Sequence, residues 1–523
     1  MRQTPIKPAD IFNRRTAGCL LHPTSLPAAK LGHCDVPSGN LGRHAHHFLA
    51  FLHSAGLNVW QMLPTGPTHS DRSPYQSWSA HAGSPNLICL QQLIDWGWLS
   101  AEAIAKHLPV GDCLSFDDMA QLRTIACDEF FRHIETAQGK HIGRDYQRFL
   151  KEQAHWLDDF ALFLALRKAH GGVSWLDWPE PLRLRDNKAL ASARQQYQRD
   201  IAQAYFEQFA FYSQWQALRQ SASEQGVQLF GDIPIFVALD SVDVWAHPDQ
   251  FMLDQRGQPV SVAGVPPDYF SETGQHWGNP HYRWDTMQAD DFAWWRDRLG
   301  GQLAQFDLIR IDHFRGLDAY WEIPAGSPDA RAGRWVEAPG EALLASLFKH
   351  CHNLPIVAEN LGLITDSVES LRKRFALPGM LVLQFGFDGN PTNINAPHHF
   401  EPVNIVYTGT HDNDTTKGWL DSLTSAERER LAEYLNTLPT PWGLIKTALA
   451  SVARMAIVPL QDWLELDNTA RMNTPGTLDN NWLWRFQWED LPADLATRIK
   501  QDVIRYDRLG QDLPFSDDIS PEK

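Results

Sequence analysis

The strongest constraint on this 523-residue chain is a pattern met along its length: a short apolar run with a β-branched bias, followed by charged, amide or aromatic side chains. Leu308, Ile309 and Ile311 form one such run, with Arg310 inside it and Asp312, His313 and Arg315 crowding its C-terminal end. Others span 17–21 before His22-Pro23-Thr24, 58–63 before Pro64-Thr65-Gly66, 228–236 around Asp232, 355–358 before Glu359-Asn360, 380–385, and 403–407 before Thr408-Gly409-Thr410-His411-Asp412. Short apolar runs bounded by turn residues predict buried strands. Helical stretches lie between them. Phe48, Phe51 and Leu52 share a face that Gly56 ends, and Phe292, Trp295, Leu299 and Leu303 fall at helical spacing behind Asp290-Asp291.

Strand, helix and strand in so short a span predict right-handed parallel units, and several of them favour a (β/α)8 TIM barrel over a doubly wound sheet. From about 93 to 222 the texture turns helical, charged and strand-poor, as in Phe160-Ala161-Leu162-Phe163-Leu164-Ala165-Leu166. The expected organisation is a single enlarged catalytic barrel over 1–523, with a mainly helical insertion at 93–222 and further loop subdomains. The alternative is a separate helical domain between two α/β halves.

Charge and cysteine use narrow the function. Lys+Arg 46 against Asp+Glu 63 gives −17, which argues against nucleic acid or an anionic membrane as partner and costs a neutral substrate nothing. The first residues, Met1-Arg2-Gln3-Thr4-Pro5, lack an apolar signal core, and no apolar run approaches bilayer length, so a soluble cytoplasmic protein is expected. Six scattered cysteines without a C-x-x-C read as reduced thiols, with no zinc or redox chemistry. Tryptophan is unusually frequent at 21. Most should be core residues, but Trp78 and Trp277 sit in Gly/Pro/Asn-rich stretches, where aromatic faces beside amides suit a sugar.

Asp312, Glu359 and Asp412 stand just past three different predicted strands, and a barrel would bring those ends to one rim. For Asp312 alone, a structural ion pair with Arg310 or Arg315 is the simpler reading. Taken together, the three suit glycosidic bond chemistry, in which one ionised carboxylate attacks the anomeric carbon while another, with a raised pKa, protonates the leaving oxygen. Arg310, two residues before Asp312 on the same strand face, would keep it ionised, and the apolar approach Ile356-Val357-Ala358 would raise the pKa of Glu359. Asp412 would brace sugar hydroxyls or the developing ring charge. A rival reading uses His313, His411, Asp312 and Asp412 as metal ligands, but neighbouring strand residues point to opposite faces, so sugar chemistry without metal is preferred.

Arg310-Ile311-Asp312-His313-Phe314-Arg315-Gly316, Ala358-Glu359-Asn360-Leu361-Gly362 and Thr408-Gly409-Thr410-His411-Asp412-Asn413-Asp414-Thr415 resemble three signature blocks of the 4-α-glucanotransferases (amylomaltase or disproportionating enzyme), glycoside hydrolase family 77. Ser73-Pro74-Tyr75-Gln76-Ser77, Gly231-Asp232-Ile233-Pro234-Ile235, Gly264-Val265-Pro266-Pro267-Asp268-Tyr269-Phe270-Ser271 and Arg471-Met472-Asn473-Thr474-Pro475-Gly476-Thr477 resemble further family blocks, so the likeness spans nearly the whole chain. The resemblance implies Asp312 as nucleophile, Glu359 as general acid/base and Asp412 as transition-state stabiliser. It also implies sugar contacts from Tyr75, Asp232, Gln275, Trp277, Arg310, His313 and His411. The implied activity transfers α-1,4-glucan segments between maltooligosaccharide or starch- and glycogen-type chains with retention, glucose serving as an acceptor, and needs no cofactor. A departure from the family pattern is Asn360, where relatives usually carry Asp; another is His81, where an aromatic is common. An α-glucan hydrolase, or a non-catalytic α-glucan binder, would be the alternatives. Transfer over hydrolysis requires a shielded acceptor site, for which Tyr75, Trp78, Tyr269, Phe270 and Trp277 offer platforms and Gln76, Gln275 and Asn279 amides, with Gly264, Gly274 and Gly278 letting the second loop close.

Overall fold

The computed structural model describes residues 7–267, 271–351, 353–477 and 479–512. The seven predicted runs form parallel strands, β1 (Arg14–Leu20), β2 (Val59–Gln61), β3 (Gln228–Pro234), β4 (Leu308–Asp312), β5 (Ile356–Ala358), β6 (Met380–Val382) and β7 (Ile405–Tyr407), and an eighth that the sequence reading missed, β8 (Met455–Pro459), joins them. Each pairs with its neighbours in chain order, and β8 returns to β1, with Gly18 opposite both Val59 and Ile457. β5 and β6 meet through a single bridge, Ala358 to Gly379, which completes the ring. This is the (β/α)8 barrel that the pattern of runs and helices predicts.

Period-two alternation decides what lies inside. Leu20, Val59, Phe230, Leu308, Val357, Met380, Val382, Ile405, Tyr407, Met455 and Ile457 pack together as the barrel interior. Their neighbours Cys19, Trp60, Leu229, Ile309, Ile356, Leu381, Val406 and Ala456 face the surrounding helices. Asp232, Arg310 and Asp312 keep the inward phase of Phe230 and Leu308. They therefore continue the interior column upward at the C-terminal rim, where apolar filling gives way to charge.

Helix α1 (Arg43–Ser54) follows β1, and Gly56 at φ +71° turns the chain back toward β2. Between β2 and β3 the chain is helical, with α2 (Phe116–Ile134), α3 (Lys140–Ala169) and α4 (Gln198–Glu224) as its long members. α2 starts from a reciprocal cap between Ser115 and Asp118. Trp98, Phe130, Tyr146, Phe206 and Phe209 lock these helices by ring contacts, and Phe160, Leu162 and Phe163 are fully buried. α4 runs to Glu224 and packs on α1 and β3, so its last turns also serve as a barrel helix. Further on, α5 (Ala293–Gln305) feeds β4 as predicted, and α6 (Asp366–Arg374) links β5 to β6. Trp60, Trp175, Trp215, Trp245, Trp295 and Trp463 are deeply buried, the core role expected of most tryptophans.

The sequence expectation of a mobile Gly/Pro-rich loop over 264–280 needs correction. Ser261–Val265 and Gln275–Pro280 are antiparallel strands, joined by Ala319–Pro324 and Arg334–Glu337 into a four-stranded sheet above the barrel rim. Gly264 permits the pairing: a Cβ there would lie 2.1 Å from the Gln275 carbonyl oxygen. Tyr269 and Phe270 lie outside the described residues.

Candidate active site

Arg310 is the hub of the rim. Its buried guanidinium donates to Asp232 at 2.5 Å and to Asp312, and reaches the Tyr75 hydroxyl at 3.3 Å. Tyr75 in turn donates to Asp232 at 2.7 Å. The Asp232 side chain is 0% exposed, sealed beneath Arg310, whereas the Asp312 side chain keeps 28% of its surface open to the cleft. Burial pushes the Asp232 carboxyl up to about 7, with Arg310 acting against that rise. Burial also raises Asp312, and Arg310 pulls it back toward the ionised form. The sequence-based expectation that Arg310 favours the ionised Asp312 holds in sign, but desolvation opposes it and the cation is shared with a second carboxylate.

Glu359 is held differently. One carboxylate oxygen accepts from the His313 backbone N–H at 2.7 Å and the other from the Leu361 N–H at 2.7 Å. His313 adopts a left-handed conformation, φ +52°, which bends the chain sharply after β4 and turns its amide toward Glu359. Burial and the nearby Asp312 push Glu359 up to about 7, despite the two amide donors. Both signs agree with an acid that still carries its proton near neutrality.

Asp412 lies across the mouth on the loop after β7. It accepts from the Asn473 amide at 2.7 Å, while Arg471 donates to its backbone carbonyl at 2.6 Å and pairs with Asp414. His411 stands 2.9 Å from the Tyr75 hydroxyl and stacks on that ring at 5.4 Å between centroids. Burial lowers His411 and brings His313 down to about 4, so both imidazoles are neutral at pH 7. Trp277 sits edge-on to the His313 ring at 4.9 Å and donates to the exposed Gln275 at 3.0 Å. Among the described residues, no three His, Cys, Asp or Glu side chains sit together as a cation site.

Parallel strand ends thus gather two carboxylates of unlike setting, a third carboxylate opposite them and an aromatic cover, an arrangement fit for acetal chemistry. The sequence profile described as 4-alpha-glucanotransferase matches residues 21–491. The chain belongs to the 4-alpha-glucanotransferase family, glycoside hydrolase family 77. The 4-alpha-glucanotransferase of Thermus thermophilus is 46% identical over 505 residues, covering 95% of this chain and 99% of its own. The chloroplastic or amyloplastic 4-alpha-glucanotransferase of Solanum tuberosum is 39% identical over 516 residues, covering 96% of this chain and 88% of its own. Amylomaltase from Streptococcus agalactiae, in a complex with acarbose, superposes with a TM-score of 0.88 at 35% identity, covering 95% of this chain and 100% of that one. The chain is accordingly a 4-alpha-glucanotransferase, a hexosyltransferase that moves α-1,4-glucan segments between chains.

In this 4-alpha-glucanotransferase the structure gathers Tyr75, Asp232, Arg310, Asp312, His313, Glu359, His411 and Asp412, with Gln275 and Trp277 on the overlying sheet. Two residues offered for the acceptor side are used elsewhere. Trp78 is covered by Arg167 at 5.0 Å, and the buried Asn279 amide donates to the Val237 carbonyl at 2.8 Å. Residue reasoning missed Asn473 and Trp482. Asn473 lay in a block noticed for its resemblance, without the partner that defines its role. Trp482, near both Tyr75 and His411 at 6.1 Å, is isolated in sequence and has no motif to mark it.

Proposed function

We propose that transfer proceeds by retaining double displacement. The Asp312 carboxylate attacks the anomeric carbon of a bound α-1,4-glucan as protonated Glu359 gives its proton to the departing 4-oxygen, leaving a glycosyl ester. Glu359, now a carboxylate, takes the proton from the 4-hydroxyl of an incoming maltooligosaccharide or glucose, and that oxygen displaces Asp312 from the same face. Asp412, steadied by Asn473, engages ring hydroxyls and the positive charge of the transition states. Tyr75, His411, His313, Arg310, Gln275 and Trp277 contact sugar, while Asp232 acts from beneath through Arg310 and Tyr75.

The observation that carries this reading is the contrast between the two carboxyls: Asp312 pairs directly with the Arg310 guanidinium, whereas Glu359 takes its hydrogen bonds from backbone amides in a buried pocket and feels Arg310 only at longer range. Donors and acceptors are maltooligosaccharides and starch- or glycogen-type chains. No described helix is long and apolar enough to cross a membrane, and the acidic chain is read as cytoplasmic, free of nucleic acid and membrane partners. The helical stretch 93–222 is read as a subdomain grown from the barrel rather than a domain of its own.

Incubation with maltotriose tests the reaction. A ladder of longer maltooligosaccharides with glucose is expected, whereas glucose and maltose alone would mean hydrolysis. For the mechanism, Glu359→Gln incubated with α-maltosyl fluoride should accumulate a maltosyl adduct on the peptide containing Asp312, read by mass spectrometry. An adduct on another carboxylate would reject the nucleophile assignment.

A further inference from the structure

Residue 360 lies immediately beyond the proposed acid, on the side of the strand end facing β6. Asn360 is buried and both ends of its amide are engaged. Its oxygen accepts the Met380 backbone N–H at 2.8 Å, and its nitrogen donates to Glu369 on α6 at 2.7 Å. Glu369 is clasped by buried Arg372, which also donates to the Leu377 carbonyl at 2.6 Å. The chemistry fixes the amide's orientation, since an N–H must meet oxygen and a carboxylate must meet NH2. Space fixes its position: a Cβ on Gly379 would lie 2.8 Å from the Asn360 oxygen and 3.2 Å from Arg372 Nε.

This knot sits at the seam where β5 and β6 meet through the single Ala358–Gly379 bridge. On its other side Glu359 is tied to β4, its N–H donating to the Ile311 carbonyl at 3.1 Å and its carbonyl accepting from the Phe314 N–H at 3.1 Å. The β6 side has no such ties from Glu359 itself, and Asn360 supplies them. We infer that Asn360 is a positioning residue: by stitching β5 to β6 and to the Glu369–Arg372 pair, it sets where the Glu359 carboxyl meets the departing glycosidic oxygen. In this chain an amide fits where the relatives' Asp would not, because Glu369, already met by Arg372, takes a further hydrogen bond from it. An ionised aspartate at 360 would set two carboxylates against each other.

The inference rests on Glu359 as acid, and the test separates the two. Donors differing in their need for a proton are compared, maltotriose and α-maltosyl fluoride, whose departing fluoride needs none. In Asn360→Ala, kcat with maltotriose should fall about tenfold to a hundredfold with little change in KM, because small misplacements of a reacting group cost that much. The first-turnover burst of fluoride should fall less than threefold, the first turnover being read because the second step calls on Glu359 as base with either donor. Asn360→Asp should show the same selective loss, and adding Glu369→Gln, whose amide can donate to the new aspartate, should restore most of it. Equal losses with both donors, or no recovery in the double variant, would overturn the positioning role. Glu359→Gln is the control: if it fails to distinguish the donors, the acid assignment falls and this inference with it, whereas if it distinguishes them and the Asn360 variants do not, only the role of Asn360 falls. Should Asn360→Ala not fold, the comparison of Asn360→Asp with the double variant decides alone.

Discussion

Arg310 faces two carboxylates, Asp232 sealed and Asp312 open to the cleft, and the pH behaviour of the site follows from how few cations it holds. The proposed mechanism requires Asp312 ionised and Glu359 protonated in the first step. Burial raises both groups, so the acid limb of the rate profile should lie above the ordinary aspartate range, and activity should decline as pH rises past about 7, where Glu359 loses its proton. A kcat/KM profile of maltotriose disproportionation that stays flat from pH 7 to 9 would contradict the assignment. Asp312→Asn keeps shape and loses the nucleophile, so turnover should drop by at least about a thousandfold while circular dichroism and Tm hold. Asp232 gives a stability signature instead. Its folded pKa of about 7 stands above the unfolded aspartate value, so its contribution is present in full at low pH and is lost as pH climbs through about 7. Asp232→Asn should flatten the decline of Tm between pH 4 and 8.

At the scale of elements, the four-stranded sheet matters because it holds Trp277 and Gln275 against the His313 turn from outside the barrel. The proposed glycosyl ester on Asp312 would face water at bulk concentration, and transfer wins only where bound acceptor excludes it. Tyr75, stacked on His411, forms the opposite wall. Trp277→Ala and Tyr75→Ala should each lower transfer by about tenfold or more while hydrolysis falls less, raising the share of products ending in water. Equal losses in both rates would show that neither residue selects the acceptor. Strand 275–280 is illegible as a strand because its His, Gly and Pro suit turns, and 261–265 because Gly264 interrupts a run of five; the pairing of both comes from partners elsewhere in the chain. The barrel strands are the opposite case: Leu308, Ile309 and Ile311 are apolar on both faces, which only a strand between barrel interior and helices satisfies.

Across the whole molecule, the rim is held from below by a polar clamp at the opposite end of the barrel. Arg508, fully buried, donates to the carbonyls of Leu449, Thr16, Arg454, Ala448 and Ser451, joining the end of helix Pro441–Ala450 to β1. Arg508→Met removes these donations while Arg15, Thr16 and Ser451 still serve the carbonyls of Leu449, Ser451, Arg454 and Ala448, so it should cost about 1–3 kcal/mol, seen as a lower Tm in calorimetry with KM for maltotriose unchanged. Exhaustive chelation should leave transfer untouched, since carboxylates do the chemistry, and loss restored by one divalent ion would revive a metal site. The sequence by itself determined seven of the eight barrel strands, the barrel class and the three strand-end carboxylates, because alternation, turn residues and strand termination are local properties of the backbone; strand Met455–Pro459 escaped that reading. Tertiary structure alone decided that Arg310 is shared by Asp232 and Asp312, that Asn473 steadies Asp412, that Trp482 stands beside Tyr75, and that Asn360 ties the acid's strand to its neighbour. Each of those contacts joins segments remote in the chain, and they meet only because the closed barrel brings its strand ends to one rim.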